Sequence, residues 1–184
     1  FLNNFKKRGF PNRKQEDWKF LDISQIIKKN ISDLSFFNDY SQSNKIDPSI
    51  FVDGLEHNKI IFINGRIEKI DFNYEDKDKI EINDEIEKKI SFDYKNSLID
   101  LNRALTNKVF KKPLIIYHST NDKLSSKTVN LRLDFELEEN SSLRLIDYFS
   151  KSVDKNFINI LYNFNLKNYS ILKNYKIDKF KNNN

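Results

Sequence analysis

In VNLRLDFEL (residues 129–137), Leu131, Leu133, Phe135 and Leu137 alternate with Arg132, Asp134 and Glu136. INILYNFNL (158–166) repeats the pattern, with Ile158, Ile160, Tyr162, Phe164 and Leu166 set against Asn159, Asn163 and Asn165. A period of two puts one set on each side of a pleated strand, so both stretches predict strands with one buried face. LIIYHST (114–120), SLRLIDYF (142–149) and ILKNYKI (171–177) extend the series. Polar turn segments at 138–142, 152–156 and Lys167-Asn168 separate its members. Five strands at intervals of roughly 13 to 16 residues, with no helical pattern between them, predict an all-β stack: a sandwich, a barrel or a β-solenoid. The pattern runs to the end of the chain without a capping element. This predicts an open edge on the last strand and, for a solenoid, further coils beyond it.

Upstream of about residue 110 the chain reads differently. DISQIIKKNI (22–31) places Ile23, Ile26, Ile27 and Ile31 at helical spacing, with Asp22 or Ser24 as N-cap. NDYSQSNKIDPS (38–49) predicts a loop that Pro48 keeps from becoming helix. KIIFINGRIEKI (59–70) predicts a hairpin, because Asn64-Gly65 lies between two apolar runs and both residues tolerate positive φ. Within the charged stretch 71–95, Ile86 and Ile90 suggest a short helix over 84–90. SLIDLNRAL (97–105) predicts a better one: Ser97 and Asp100 form a capping box, and Leu98, Leu101 and Leu105 make one apolar face.

Composition excludes several classes of function. The 184 residues contain no cysteine, hence no disulfide framework, thiolate nucleophile or Cys-ligated metal centre. Three glycines (Gly9, Gly54 and Gly65) allow neither a P-loop nor a GxGxxG turn. At 38% hydrophobic and 14% aromatic residues, the chain can bury a core. The formal charge of +5 comes from 32 Lys plus Arg against 27 Asp plus Glu, and only six of the basic residues are Arg. Acids and bases interleave, as in DFNYEDKDKIEINDEIEKK (71–89), so the excess reads as a solvated, lysine-rich surface rather than a nucleic-acid footprint. No apolar run exceeds four or five residues, short of a membrane-spanning helix. The absence of Met predicts that residue 1 is not a translation start and that the chain is a fragment or a processed form.

Candidate chemistry is sparse. His118 shares a strand face with Leu114 and Ile116, where a histidine is expected to be a hydrogen-bonded core residue rather than a catalyst. His57 is expected in an exposed loop, and neither histidine has a Ser and an acid placed for a triad. Glu138-Glu139 reads as a turn and Glu75-Asp76 as a solvated face, and spacing selects no carboxylate pair for glycosidase chemistry. The most distinctive segment is PNRKQEDWKF (11–20), with the single Trp between acids and bases. It is expected to anchor a helical segment on the β body, with Arg13, Lys14, Glu16 and Lys19 ion-pairing around Trp18; a docking surface for a partner protein is the alternative.

GFPNRKQEDWKF (9–20) also resembles the G-x-P-[ST]-x-[KR]-x-E-x-W-[KR]-[YF] signature near the start of SufD, the non-ATPase scaffold branch of the SufB/SufD family in SUF iron–sulfur cluster assembly. Asn12 departs from the usual Ser or Thr. IIFINGRI (60–67), SLIDLNRAL (97–105), KKPLIIYHST (111–120) and LRLDFELEENSSLRLIDYF (131–149) resemble later pieces of the family in the same order. A second departure is the very short Thr106–Phe110 connection, where family members carry a Gly-containing strand and loop. The resemblance covers nearly the whole chain but the first half or less of a family member.

The fold it implies is mainly β with a small α/β N-terminal region and a right-handed parallel β-helix core truncated at the C-terminus. Residues 1–58 would be mostly helical, 59–110 a hairpin and linking helix, and 111–184 the first coils. The implied role is that of a cytoplasmic, non-enzymatic scaffold. It would pair with a SufB-like paralogue and recruit a SufC-like ATPase through a C-terminal region not in this sequence, with no nucleic-acid or membrane partner. No catalytic, cofactor or metal residue is carried over: the Fe–S cluster belongs to the assembled complex and is not bound by this segment. Pro11, Arg13, Lys14, Glu16, Trp18 and Lys19 are the motif residues, structural or docking in role. The alternatives are a carbohydrate-active β-helix protein and, further off, a basic nucleic-acid-binding module.

Overall fold

The computed structural model describes residues 10, 13–14, 19–30, 45–80, 82, 98–104, 109–121, 128–151 and 157–179. Its elements are mainly strands. A short helix, α1 (Ile23–Asn30), starts where the sequence places it: the Asp22 carboxylate accepts from Gln25 N at 3.0 Å, and Ile26 N donates to Asp22 O. Pro48 does not merely interrupt a loop. It opens a 3₁₀ turn, Pro48–Ile50, capped by the Asp47 side chain on Ser49 N.

The Asn-Gly hairpin forms as read. Strands β1 (Asn58–Ile63) and β2 (Arg66–Asp71) pair antiparallel, and Asn64 (φ 54°) and Gly65 (φ 82°) both turn left-handed between them. Asn64 also reaches outward, exchanging side-chain hydrogen bonds of 2.7 and 3.0 Å with Asn121 at the end of the next sheet strand.

The five strands read from the period-two pattern are β4 (Leu114–Ser119), β5 (Thr128–Leu137), β6 (Ser142–Lys151), β7 (Phe157–Leu166) and β8 (Ile171–Asp178). They do not pair with their chain neighbours. One sheet runs β2-β1-β4-β6-β8, parallel from β1 onward; the other runs β3 (Leu98–Ala104), β5, β7 and is parallel throughout. The chain therefore crosses between sheets at every connection from β3 on. Thr128 faces Phe157 and Ser142 faces Ile171, so each of these pairings advances the chain by 29 residues.

The tight β5–β6 and β7–β8 connections repeat one turn. Ser141 N and Oγ both donate to Glu138 O, and Ser170 N and Oγ both donate to Lys167 O. Asn140 (φ 57°) and Tyr169 (φ 56°) take the same left-handed place in the two turns. Asn140 N donates to Asn168 O, and Ile171 N to Ser141 O, so the turns stack as the strands do.

The segment 97–105 departs from its sequence reading. Leu98–Ala104 is a strand, β3, parallel to β5 with Leu98 opposite Arg132 and Leu101 opposite Phe135; Ser97 and Leu105 lie outside the described residues. Helical spacing of three leucines is a local preference worth only tenths of a kcal/mol per residue. Pairing along β5 satisfies a whole edge of backbone donors and acceptors at once, and prevails. The suggested 84–90 helix lies outside the described residues.

Two apolar layers hold the sheets. Between them pack Ile60, Phe62, Leu114, Ile116, Leu143 and Leu145 from one sheet and Val129, Leu131, Leu133, Phe135 and Leu137 from the other. On the opposite face of the larger sheet, Ile61, Ile63, Ile115, Tyr117 and Tyr148 are covered by Ile46, Ile50, Phe51 and Val52. β1 thus belongs to the same sheet as β4, and the hairpin is a rung of the stack rather than an approach to it.

Two turn positions yield tests. A Cβ on Gly65 would lie 2.7 Å from Val129 Cγ1 at a positive φ, whereas Gly54 (φ 73°) has open space around it. Gly65→Ala is expected to cost about 2 kcal/mol or more and Gly54→Ala about 1 kcal/mol, measured by urea unfolding. Tyr169 is 85% exposed yet left-handed, so Tyr169→Asn is expected to raise stability by about 0.5–1 kcal/mol in the same assay.

Candidate functional site

His118 is the residue on which chemistry would be expected, and the fold fixes it tightly. It stands on the inner face of β4, 5% exposed, with its ring stacked between Phe62 of β1 and Phe149 of β6 at centroid distances of 5.5 and 4.7 Å. The three residues occupy one register column, so successive strands bring their rings together. Its Nε2 lies 3.2 Å from Asp147 Oδ1 and 3.3 Å from Tyr162 OH, and Tyr162 donates to the same Asp147 oxygen. A carboxylate only accepts, so Nε2 carries the proton. Nδ1 is buried without a hydrogen-bond partner. Burial first, then the charge and hydrogen bond of Asp147, push the Tyr162 phenol far up, so it stays protonated as a donor.

This cluster joins β4, β6 and β7 across the interior. Asp147 is 3% exposed, and the tyrosine hydroxyl is committed to it. The arrangement stitches two sheets together and presents no nucleophile to solvent, in keeping with the core role expected for His118. Nothing in the sequence selected Asp147 or Tyr162 as its partners. The signal was present, however: Asp147 interrupts the inward series Leu143, Leu145, Phe149, and an acid at an inward position requires a partner.

His57 corrects its sequence reading. It is 7% exposed, not an exposed loop residue. Nδ1 donates to Leu55 O, and Nε2 accepts from Tyr117 OH at 2.7 Å. Burial pulls its pKa below the ordinary 6.5. The sequence shows a histidine beside Glu56 and Asn58 and gives no hint that Tyr117, sixty residues on, will fold over it.

Glu75-Asp76 corrects in part. Glu75 is exposed and pairs with Lys111 at 2.9 Å, but Asp76 has no exposed surface. Its carboxylate accepts from Lys79 Nζ (2.7 Å), Asn58 Nδ2, Lys111 N and Lys112 N (3.0 Å each). Burial by itself would raise its pKa; the four donors outweigh it and hold the group at about 2. Asn58, itself fully buried, completes the knot by accepting from Asn73 N and Nδ2. The turn after β2, the start of β1 and the entry to β4 are thereby tied at one point.

Of the motif residues, Arg13, Lys14 and Lys19 are exposed; Pro11, Glu16 and Trp18 lie outside the described residues. Lys19 Nζ sits 5.7 Å from the ring centre of Phe20, which is 91% exposed, and Phe10 meets Phe157 edge-on at 6.0 Å. Outward acids of the strands are partnered: Arg132 binds Asp134 at 3.0 Å and Lys167 binds Glu136 at 3.1 Å. Apolar surface is left on the outermost rung, where Leu161 and Leu166 of β7 and Ile171, Tyr175 and Ile177 of β8 are each 43–55% exposed. Among the described residues, no three His, Asp or Glu side chains converge as metal ligands, and no helix is long and apolar enough to cross a membrane. Comparison with protein-family models, curated proteins and solved structures finds no match to the chain.

Asp76 supplies a pH test. Its folded pKa is depressed, so its contribution is present in full above the ordinary 3.8 and is lost as pH falls toward 2. That contribution is about 2 kcal/mol. Asp76→Asn is expected to cost on the order of 2–3 kcal/mol at neutral pH and to flatten this acid limb in urea titrations between about pH 2 and 5.

Proposed function

We propose that the chain is a scaffold module of the SUF type: the opening coils of a right-handed parallel β-helix that works by holding other proteins rather than by its own chemistry. The observation that carries this reading is the winding. From β3 on, strands alternate between two sheets and pair parallel, stacked turns repeat their hydrogen bonds, and the register advances by 29 residues from β5 to β7 and from β6 to β8. A chain wound in this way forms an elongated body that grows by adding rungs, and such bodies present long lateral faces to other proteins.

The resemblance of GFPNRKQEDWKF (9–20) and the four later segments to SufD supplies the specific identity. In this reading the protein pairs with a SufB-like paralogue in the cytoplasm. A SufC-like ATPase supplies the energy for reshaping the pair, and the iron–sulfur cluster is cargo of the assembly. This reading takes the buried polar clusters as structural: His118, Asp147 and Tyr162 between the sheets, and Asp76 beneath the β1 and β4 entries.

Co-expression of the natural protein with a SufB-type subunit and a SufC-type ATPase tests the assignment. Recovery of all three through an affinity tag on this protein alone, stable in gel filtration, is the expected result. Recovery of the tagged protein by itself would remove the SUF assignment.

A further inference from the structure

We propose that residues 46–57 form a proton-released strap: protonation of His57 frees this segment from the outer face of the larger sheet and uncovers the apolar surface beneath it. This device is independent of the SUF assignment, because it rests only on how the strap is fastened.

The buried fastening is a chain of hydrogen bonds; a more exposed tie is the ion pair of Glu56 with Lys112 at the entry to β4. Val52 N donates to Tyr117 OH at 3.1 Å, Tyr117 OH donates to His57 Nε2 at 2.7 Å, and His57 Nδ1 donates to Leu55 O. The directions are forced. Leu55 O and the Val52 amide each play only one role, so neutral His57 must be protonated on Nδ1 and must accept at Nε2. The chain is therefore complete only with neutral His57. In the imidazolium both ring nitrogens are donors. Tyr117 OH then faces two donors, Val52 N–H and Nε2–H, and its own proton loses the acceptor it has in the neutral state. The same event places a cation against the Tyr117 ring in the apolar layer.

The charged groups around His57 do not offset that cost. Lys59 of β1 opposes the cation, and Asp71 at the end of β2 favours it only from a distance. Tyr117 of β4 and Tyr148 of β6, 5.5 Å apart by ring centroids, bring aromatic rings and no carboxylate. Asp53 lies within the strap itself, and the neighbouring Glu56 is already bound to Lys112. Burial accordingly lowers the His57 pKa below 6.5. The sign follows: the fastened state is favoured in full above the ordinary histidine value and loses ground as pH falls below it, because the open state takes up the proton more readily.

Beyond this chain the strap holds by the Glu56–Lys112 ion pair, by Lys59 over the Phe51 ring at 5.4 Å, and by packing. Ile46, Ile50, Phe51 and Val52 lie over Ile61, Ile63, Ile115 and Tyr117, with Phe51 edge-on to Tyr117 at 5.1 Å. Its backbone is joined to no sheet strand by ladder pairing, since the paired edge of β1 goes to β2 and β4. The strap can therefore lift without opening either sheet.

Amide hydrogen exchange by NMR on the whole chain, corrected for intrinsic rates, tests this at about pH 7.5 and about pH 5. Protection at Phe51 and Val52 is expected to fall about tenfold or more at the lower pH, while Ile115, Ile116 and Tyr117 of β4 keep theirs. His57→Gln is expected to abolish the difference. Unchanged protection at Val52, a parallel loss in β4, or a pH dependence that survives His57→Gln would each overturn the proposal. If the variant does not fold, the His57 ring resonances of the native chain decide: their titration midpoint must coincide with the loss of Val52 protection, and a mismatch rejects the strap.

Discussion

Parallel pairing between strands that are not chain neighbours is the constraint from which the rest of the structure follows. From β4 onward each strand finds its hydrogen-bond partners one rung away, so no rung satisfies its backbone alone. A single hydrophobic layer has to fill the space between sheets at every rung, and the period-two pattern supplies it: Leu131, Leu133, Phe135 and Leu137 stand over Ile160, Tyr162, Phe164 and Leu166. Like stacks on like, and Phe135 and Phe164 meet at 5.3 Å. The corners obey the same rule. The turns at 138–141 and 167–170 must have the same shape for the strands they join to remain in register, which forces Tyr169 into the left-handed conformation that suits Asn140 better.

The hairpin is where this constraint meets a different geometry. β1 pairs antiparallel with β2 on one side and parallel with β4 on the other, so the chain leaving β2 has to be turned away from the sheet and then brought back beside β1. Asp76 and Asn58 fix that return. A buried carboxylate is costly unless every lone pair is used, and here backbone amides from Lys111 and Lys112, an amide side chain and a lysine use them. The residue therefore acts as a connector whose loss affects three segments. At the other end of β1, the Asn64–Asn121 exchange joins the hairpin turn to the exit of β4 with neutral groups alone.

The period-two strands and the Asn-Gly turn were legible because they are local signals: alternation and turn chemistry need only a few consecutive residues. α1 was legible for the same reason, through Asp22 and the isoleucine spacing. Which strands pair was not, since a sandwich, a barrel and a solenoid share that alternation; the pairing lies in contacts 29 to 34 residues apart between strands that are not chain neighbours. Leu98–Ala104 shows the limit most directly: its local pattern favours helix, and its partner β5 begins beyond the next strand. The buried polar groups were the least visible part. Asp76 sits in a run of charges that looks solvated, and its environment is set by Lys111 and Lys112, far along the chain.

The two histidines show how the same side chain acquires opposite functions from its surroundings. At His118 the proton on Nε2 is held by a carboxylate, and two aromatic rings enclose the imidazole within the interlayer core. The other ring nitrogen, Nδ1, is buried without a hydrogen-bond partner. At His57 the ring nitrogen that faces the sheet accepts from Tyr117, because the proton of the neutral ring is on Nδ1 against Leu55 O. A proton arriving there meets a donor. The two also differ in place: His118 lies between the sheets, and His57 lies on a segment that joins the larger sheet without ladder pairing.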